Sequence, residues 1–298
     1  MKRISITLVL LLLASLACNF GVSTPPVVVT EPPMAETIEP LPPTVAPAEI
    51  PVEIPATPLS GLARTCQNVS LVIPEGLAAD IECQVLPPAS GEEIAPWEVT
   101  PGHVEIGLSG YALTDKFHRP RLYIFPVLGL VALQPQVAEN INRVQTILNN
   151  PAGQFSKTDL PGVHFFNAGD VFASNIAVTD FQNGAGVRAL TVYGQYYAPV
   201  NNTDLFYHFQ GLTENGQYYV IAILPITHPG LQPDAQQDSV PASAEFPAYP
   251  GFSVPDIETE MENYYNTTSD LLGVASPDVF NPTLATLDAL IHSLQVTP

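Results

Sequence analysis

Three cysteines, six histidines and 29 Asp and Glu residues are the side chains of this 298-residue sequence with the reach for nucleophilic, metal-binding or acid–base chemistry. Their spacing excludes most of it. A zinc protease holds its metal between two imidazoles one helical turn apart, in the pattern HExxH, whereas His103, His118, His164, His208, His228 and His292 are scattered singly. A serine-hydrolase elbow needs Gly-x-Ser-x-Gly at a strand-to-helix turn. The nearest text, Gly107-Leu108-Ser109-Gly110, lacks that spacing and reads as a strand end and turn. Calcium loops of the DxDxDG kind are absent, and no helix follows Gly184-Ala185-Gly186 to seat a phosphate at its N-terminus. His118, in the mixed-charge run Asp115-Lys116-Phe117-His118-Arg119, is a conceivable general acid or base, with a solvated turn as the alternative. His208 reads as a strand-face residue. Asp256, Glu258, Glu260 and Glu262 alternate along an expected helix, so they are read as spread around it and as favouring its N-terminal dipole. Paired carboxylates for glycoside hydrolysis are defined by spatial separation, which so many acids leave undetermined. No catalytic residue, metal ligand or cofactor site is expected.

Cys66 and Cys83 have neither CxxC spacing nor nearby histidines, so a structural disulfide is expected if the chain is exported. Tyr193, Tyr196, Tyr197, Tyr207, Tyr218 and Tyr219 fall close together. Neighbours on a strand point to opposite faces. One of Tyr196 and Tyr197, and one of Tyr218 and Tyr219, should therefore look away from the core unless helices cover both sides. These four form an expected binding surface for a glycan or a protein, since an aromatic face with a polar tip suits either; cross-strand packing is the alternative.

The chain opens with Lys2 and Arg3, an apolar run from Ile4 to Ala14, and the small-residue site Ser15-Leu16-Ala17. That is the plan of a secretory signal peptide, and its about ten to thirteen apolar residues fall short of the roughly twenty a membrane-crossing helix needs. Leu16-Ala17-Cys18 resembles the bacterial lipoprotein signal. That resemblance implies cleavage after Ala17, acylation of Cys18, and residence on the extracytoplasmic side of a membrane. Cleavage by the ordinary signal peptidase would instead leave a secreted protein.

Nine Lys and Arg against 29 Asp and Glu give a net charge of −20, and two of the nine cations, Lys2 and Arg3, lie in the leader. So negative a chain repels phosphate backbones, which excludes nucleic-acid partners. Residues 18–60 are rich in Pro, Val, Thr and Glu, with eleven of the 32 prolines between Pro25 and Pro58. Each proline removes a backbone donor and restricts its neighbour, so a disordered, extended stalk is expected. At about 3.1 Å per residue, roughly forty residues would reach up to about 120 Å.

Residues 61–298 read as one folded domain. Alternating apolar positions predict strands over Gln67–Ile73, His103–Leu108 and Arg121–Val127, three ahead of the first helix. That helix is predicted over Gln136–Asn149, with Val137, Ile141, Val144 and Leu148 on one face. Two hairpins follow, Asn175–Phe181 with Val187–Tyr196 and Asp204–Gln210 with Gln217–Leu224, the second turning through Asn215-Gly216. Helices are then predicted over Asp256–Leu271 and Pro282–Leu294, the last capped by Asn281. The expected fold class is α+β, an antiparallel meander with helices packed on one face. The ending from Phe280-Asn281-Pro282 to Leu294 resembles the close of PsbP/Mog1-type domains, and the domain as a whole resembles other bacterial lipoproteins; neither resemblance carries a functional residue across. The leading expectation is a lipid-anchored surface protein with a non-catalytic binding or interaction domain on a stalk. The alternatives are an envelope-associated hydrolase whose site forms only in three dimensions, and an assembly factor of an envelope complex.

Overall fold

A computed structural model describes residues 60–236 and 238–298. The expected signal peptide, Cys18 and the expected stalk to Leu59 lie outside the described residues. The strands are β1 (Gly61–Cys66), β2 (Val69–Pro74), β3 (Asp80–Leu86), β4 (His103–Ser109), β5 (Arg121–Pro126), β6 (Gly169–Phe181), β7 (Gly184–Gly194), β8 (Phe206–Thr213), β9 (Tyr218–Pro225) and β10 (Gln295–Val296). The helices are α1 (Val127–Leu133), α2 (Val137–Leu148), α3 (Ile257–Val274) and α4 (Leu284–His292). Among the described residues no helix is long and apolar enough to cross a membrane.

Seven strands form one sheet in the order β3-β4-β5-β9-β8-β7-β6. It consists of two meanders, β3 to β5 and β6 to β9, joined where β5 pairs antiparallel with β9 at Tyr123↔Ile221. A smaller sheet, β1-β2-β10, is a hairpin extended by the chain's last strand. The protein is therefore α+β with antiparallel sheets. The helices, expected on one face, cover both. Tyr219, Ile221 and Ile223 of β9 pack into a layer with Leu130 of α1 and Val137, Ile141 and Val144 of α2. Val220, Ala222 and Leu224 of the same strand pack into the opposite layer with Met261 and Leu272 of α3 and Leu284, Leu287 and Ile291 of α4. The unbroken apolar text Tyr218–Pro225 is the cause, since a strand buried on both faces cannot alternate with polar residues.

Five strands, not three, precede the first helix. Most of β1 and β3 is exposed, so neither carries the apolar alternation that marks a half-buried strand. α1 is an element the sequence does not predict, only its first residue, Val127, falling in the expected strand Arg121–Val127; its seven residues follow β5 directly, and Leu130 alone is fully buried. At α4, Thr283 is the cap in place of Asn281: its Oγ1 accepts from the Thr286 N–H at 3.1 Å, and Pro282 falls before the cap.

Cys66, at the end of β1, is disulfide-bonded to Cys83 of β3, with Cα atoms 5.5 Å apart. The bond joins the small sheet to an edge of the large one. On the α4 side the Tyr207 hydroxyl donates to Asp288 Oδ1 at 2.8 Å. Arg188 Nε lies 3.2 Å from the same oxygen, close enough for an ion pair although not aligned as a hydrogen bond. Gly186 and Gly211 face each other across β7 and β8. The Phe209 ring lies over both, and a Cβ on either would come within 2.6 Å of Phe209 Cζ.

Candidate functional site

The large concave feature is an open groove of about 1770 Å³ between α3 and the edge strand β6. One wall is the face of α3 that carries Glu258, Glu262, Asn266 and Asp270. These positions are four residues apart, so they stack along one side of the helix. All four are exposed, and none takes part in an ion pair among the described residues. Like charges at this spacing cost an isolated helix about 0.2–0.5 kcal/mol per pair. Glu258 and Glu262 are one such pair, while Glu258, in the first turn, favours the helix dipole. Asp256 caps this helix, accepting from the Thr259 N–H at 3.4 Å.

The floor is β6. Its ladder to β7 is interrupted twice, between Asp170 and Phe172 and between Ser174 and Ala177, and Asn175 takes a left-handed φ of 51°. Such bulges bend a strand and re-aim its side chains. α3 is fastened to this floor by two hydrogen bonds. Ser174 Oγ donates to the Ser269 carbonyl at 2.7 Å, and Ser269 Oγ donates to the Ala173 carbonyl at 2.9 Å. The opposite rim is the 153–158 segment. Arg143 holds it against α2, donating to the Thr158 carbonyl at 2.5 Å, and Ser156 with Asp159 closes a capping box. Lys157 is the cation of the groove lining, and its Nζ donates to the Asp170 carbonyl at 3.2 Å. Burial raises the Asp170 carboxyl above the usual range, with Lys157 opposing the shift.

Aromatic residues converge at one end. Tyr196, Tyr197 and Phe252 all line the groove, with 78%, 39% and 49% of their surface exposed. The loop that carries the two tyrosines is held by three other tyrosine hydroxyls. Tyr249 donates to the Tyr197 carbonyl at 3.1 Å. Tyr265 accepts from the Ala198 N–H and donates to its carbonyl, both at 2.9 Å, and Tyr264 accepts from the Val200 N–H at 2.9 Å. Burial pushes the Tyr264 hydroxyl up to about 12 and raises that of Tyr265, so both stay neutral at physiological pH. The platform is thus set before any ligand arrives, which lowers the ordering cost of binding. No family model, curated protein or solved structure matches this chain.

Of the four tyrosines expected to form a binding surface, Tyr196 and Tyr197 meet at this groove. Tyr218 is half-buried beside the α3/α4 core. Tyr219 is fully buried on the α1/α2 side, its hydroxyl donating to Gln210 Oε1, so it offers no surface. Two-sided helix coverage is what removes it. Glu258 and Glu262, read as spread around their helix, share the groove wall instead, because the four-residue repeat outweighs the two-residue alternation once the segment is helical.

The histidines are also less scattered than the sequence implies. His118 is not a solvated turn residue: its ring stacks on Phe166 at 5.1 Å and meets Phe206 edge-on at 4.4 Å. His208 lies on the same face, in β8, with Gln210 Nε2 2.7 Å from its Nε2. His103 packs 4.5 Å from Phe125, which His164 meets at 5.2 Å. Neither ring nitrogen of His164 has a hydrogen-bond partner among the described residues. Burial pulls His118 and His164 down to about 4 and His208 to about 3. These four belong to the α1/α2 layer, and no histidine lines the groove. Among the described residues no three His, Cys, Asp or Glu side chains are grouped to hold a metal ion.

Proposed function

We propose that the chain is a surface lipoprotein, anchored through acylated Cys18 to the extracytoplasmic face of a membrane, that presents a non-catalytic binding domain on a proline-rich stalk. The groove between α3 and β6 is its ligand site. The observation that carries this reading is the combination at that groove of solvent-facing aromatic rings on a braced loop with a line of polar side chains not engaged in ion pairs. Buried aromatic residues explain themselves by packing, whereas exposed ones gathered at a concavity mark an interaction site. The anchor rests on the lipoprotein-like Leu16-Ala17-Cys18, and each buried acyl methylene would add about 0.8 kcal/mol of membrane affinity.

An envelope hydrolase would need an acid and a base, or a nucleophile and a base, converging on one substrate position. The groove brings together the α3 carboxylates Glu258, Glu262 and Asp270 with Asp170 of β6 and no imidazole, an arrangement suited to accepting hydrogen bonds. The test uses the whole purified chain incubated with insoluble envelope material from its own cells. Retention of the wild type, and loss of retention in the Tyr196→Ala/Tyr197→Ala variant, is the expected result. Equal retention of both removes the groove as the ligand site, and release of soluble sugars or peptides during the incubation refutes the non-catalytic reading. Acyl labelling with the lipoprotein peptidase blocked tests Cys18: normal maturation under the block eliminates the anchor.

A further inference from the structure

We infer that the ligand class of this groove is an uncharged oligosaccharide chain, lying along α3 with one sugar ring stacked at the Tyr196/Tyr197/Phe252 end. The inference rests on the reading of the groove as a binding site and adds the chemistry of what binds. Three features select the ligand. The volume of about 1770 Å³ exceeds the roughly 300–1,000 Å³ of a typical small-molecule pocket, and the site is an open trough, which suits a chain. The exposed rings at one end offer flat apolar faces of the size of the C–H face of a pyranose. Along the wall, planar carboxylate and amide groups recur at one-turn intervals: Glu258, Glu262, Asn266 and Asp270. One turn of helix rises about 5.4 Å, close to the length of one sugar in an extended chain, and each such group accepts from hydroxyls in the plane it presents.

Charge excludes the rival classes in part. Acidic polysaccharides and phosphate-bearing polymers would meet Asp170 and the α3 carboxylates with only Lys157 to offset them, and its ammonium is already bonded to the Asp170 carbonyl. A peptide adding as a further strand along β6 would need its outer backbone groups. The two bulges break their spacing, and Ser269 already occupies the Ala173 carbonyl. A cationic peptide bound through side chains alone is the remaining competitor, and it differs from a sugar in salt dependence.

The experiment titrates the whole chain calorimetrically with cellohexaose, maltohexaose and chitohexaose, with polygalacturonate, and with an oligolysine, each at low and high salt. Expected is saturable binding of at least one neutral hexasaccharide, unchanged by salt and weakened about tenfold by Tyr196→Ala, as loss of one aromatic stacking contact implies. Asn266→Ala should weaken the same ligand, and Phe117→Ala, on an exposed ring outside the groove, should not. Both Tyr196 and Asn266 are exposed, so neither change threatens the fold. Absence of binding by all three hexasaccharides at millimolar concentration overturns the sugar assignment. Salt-sensitive binding of oligolysine alone, lost in Tyr196→Ala, overturns it too while leaving the groove as the site. Sugar binding that neither groove variant weakens overturns the groove reading itself.

Discussion

Acid should unfold this domain well before its carboxylates titrate. His118, His164 and His208 are held in the aromatic layer under α1 and α2, where burial pulls their folded-state values to about 4, 4 and 3. His103 lowers His164 further, and His118 lowers His208, because each would bring a second positive charge nearby. An unfolded histidine titrates near 6.5, so in mild acid the unfolded chain binds more protons than the folded one. Stability from these groups is therefore complete above about pH 6.5 and drains away as pH falls toward 4. pH 5 lies about 1.5 units below the unfolded value and still above the folded ones, so at about 1.4 kcal/mol per unit the loss is about 2 kcal/mol per histidine. Three sum to about 6 kcal/mol, comparable with the whole stability of many domains. Unfolded carboxyls titrate near 4, so histidine drives the change from pH 7 to pH 5, with the raised Asp170 carboxyl acting in the opposite sense. For a domain of this size about 1 kcal/mol moves Tm by roughly 2–4 °C, so Tm should fall by roughly 12–24 °C between pH 7 and pH 5, followed by circular dichroism. His118→Phe should remove about one proton from the pH slope. A Tm at pH 5 within a few degrees of that at pH 7, or an unchanged slope in the variant, refutes the claim that these imidazoles are buried neutral.

Three further outcomes follow from the packing. Replacing Cys66 and Cys83 together by serine, which opens a link spanning 17 positions, should cost about 3 kcal/mol in urea unfolding, and reduction of the wild type should match it. Gly211→Val should cost about 1–3 kcal/mol by overpacking against Phe209, visible as a lower Tm, whereas Gly216→Asn at the exposed turn should cost far less. Asp288→Asn should cost about 3 kcal/mol because it leaves Arg188, with 14% of its side chain exposed, without its counter-charge; Arg188→Met combined with Asp288→Leu should recover most of that loss.

The fold was legible wherever one period governed a segment. The hairpin through Asn215-Gly216, the apolar face of α2 and the stripe of α4 each carry a single repeat, and they form where that repeat places them. What escaped were elements whose signal is cancelled by their surroundings. β3 is an edge strand exposed on both sides, so its text Asp80-Ile81-Glu82-Cys83-Gln84-Val85-Leu86 carries no contrast between faces. β9 is the converse case, buried on both sides, and its alternation was hidden because every position is apolar. That strand held the decisive clue: eight consecutive positions without a charge demand cover above and below the sheet, and this requirement puts helices on two faces and encloses Tyr219.

The groove was half legible for a related reason. Tyr196 and Tyr197 stood out by residue type, but the wall opposite them is written in the spacing Glu258, Glu262, Asn266, Asp270, a four-residue repeat of polar groups inside a helix whose buried repeat is Met261, Tyr264, Thr268, Leu272. Both stripes are carried by one segment, and searching only for the apolar one leaves the other looking like ordinary solvated surface. The tyrosines that brace the site could not be found by spacing at all. Tyr249, Tyr264 and Tyr265 act through hydroxyl contacts spanning 52 to 67 residues of sequence, and contacts of that span become visible only when the loop after β7 is laid across α3. A site assembled in this way has its selectivity on a helix face and its rigidity in distant side chains. Substitutions at Tyr264 or Tyr265 should therefore weaken binding through the position of Tyr196 and Tyr197, without either residue needing to touch the ligand.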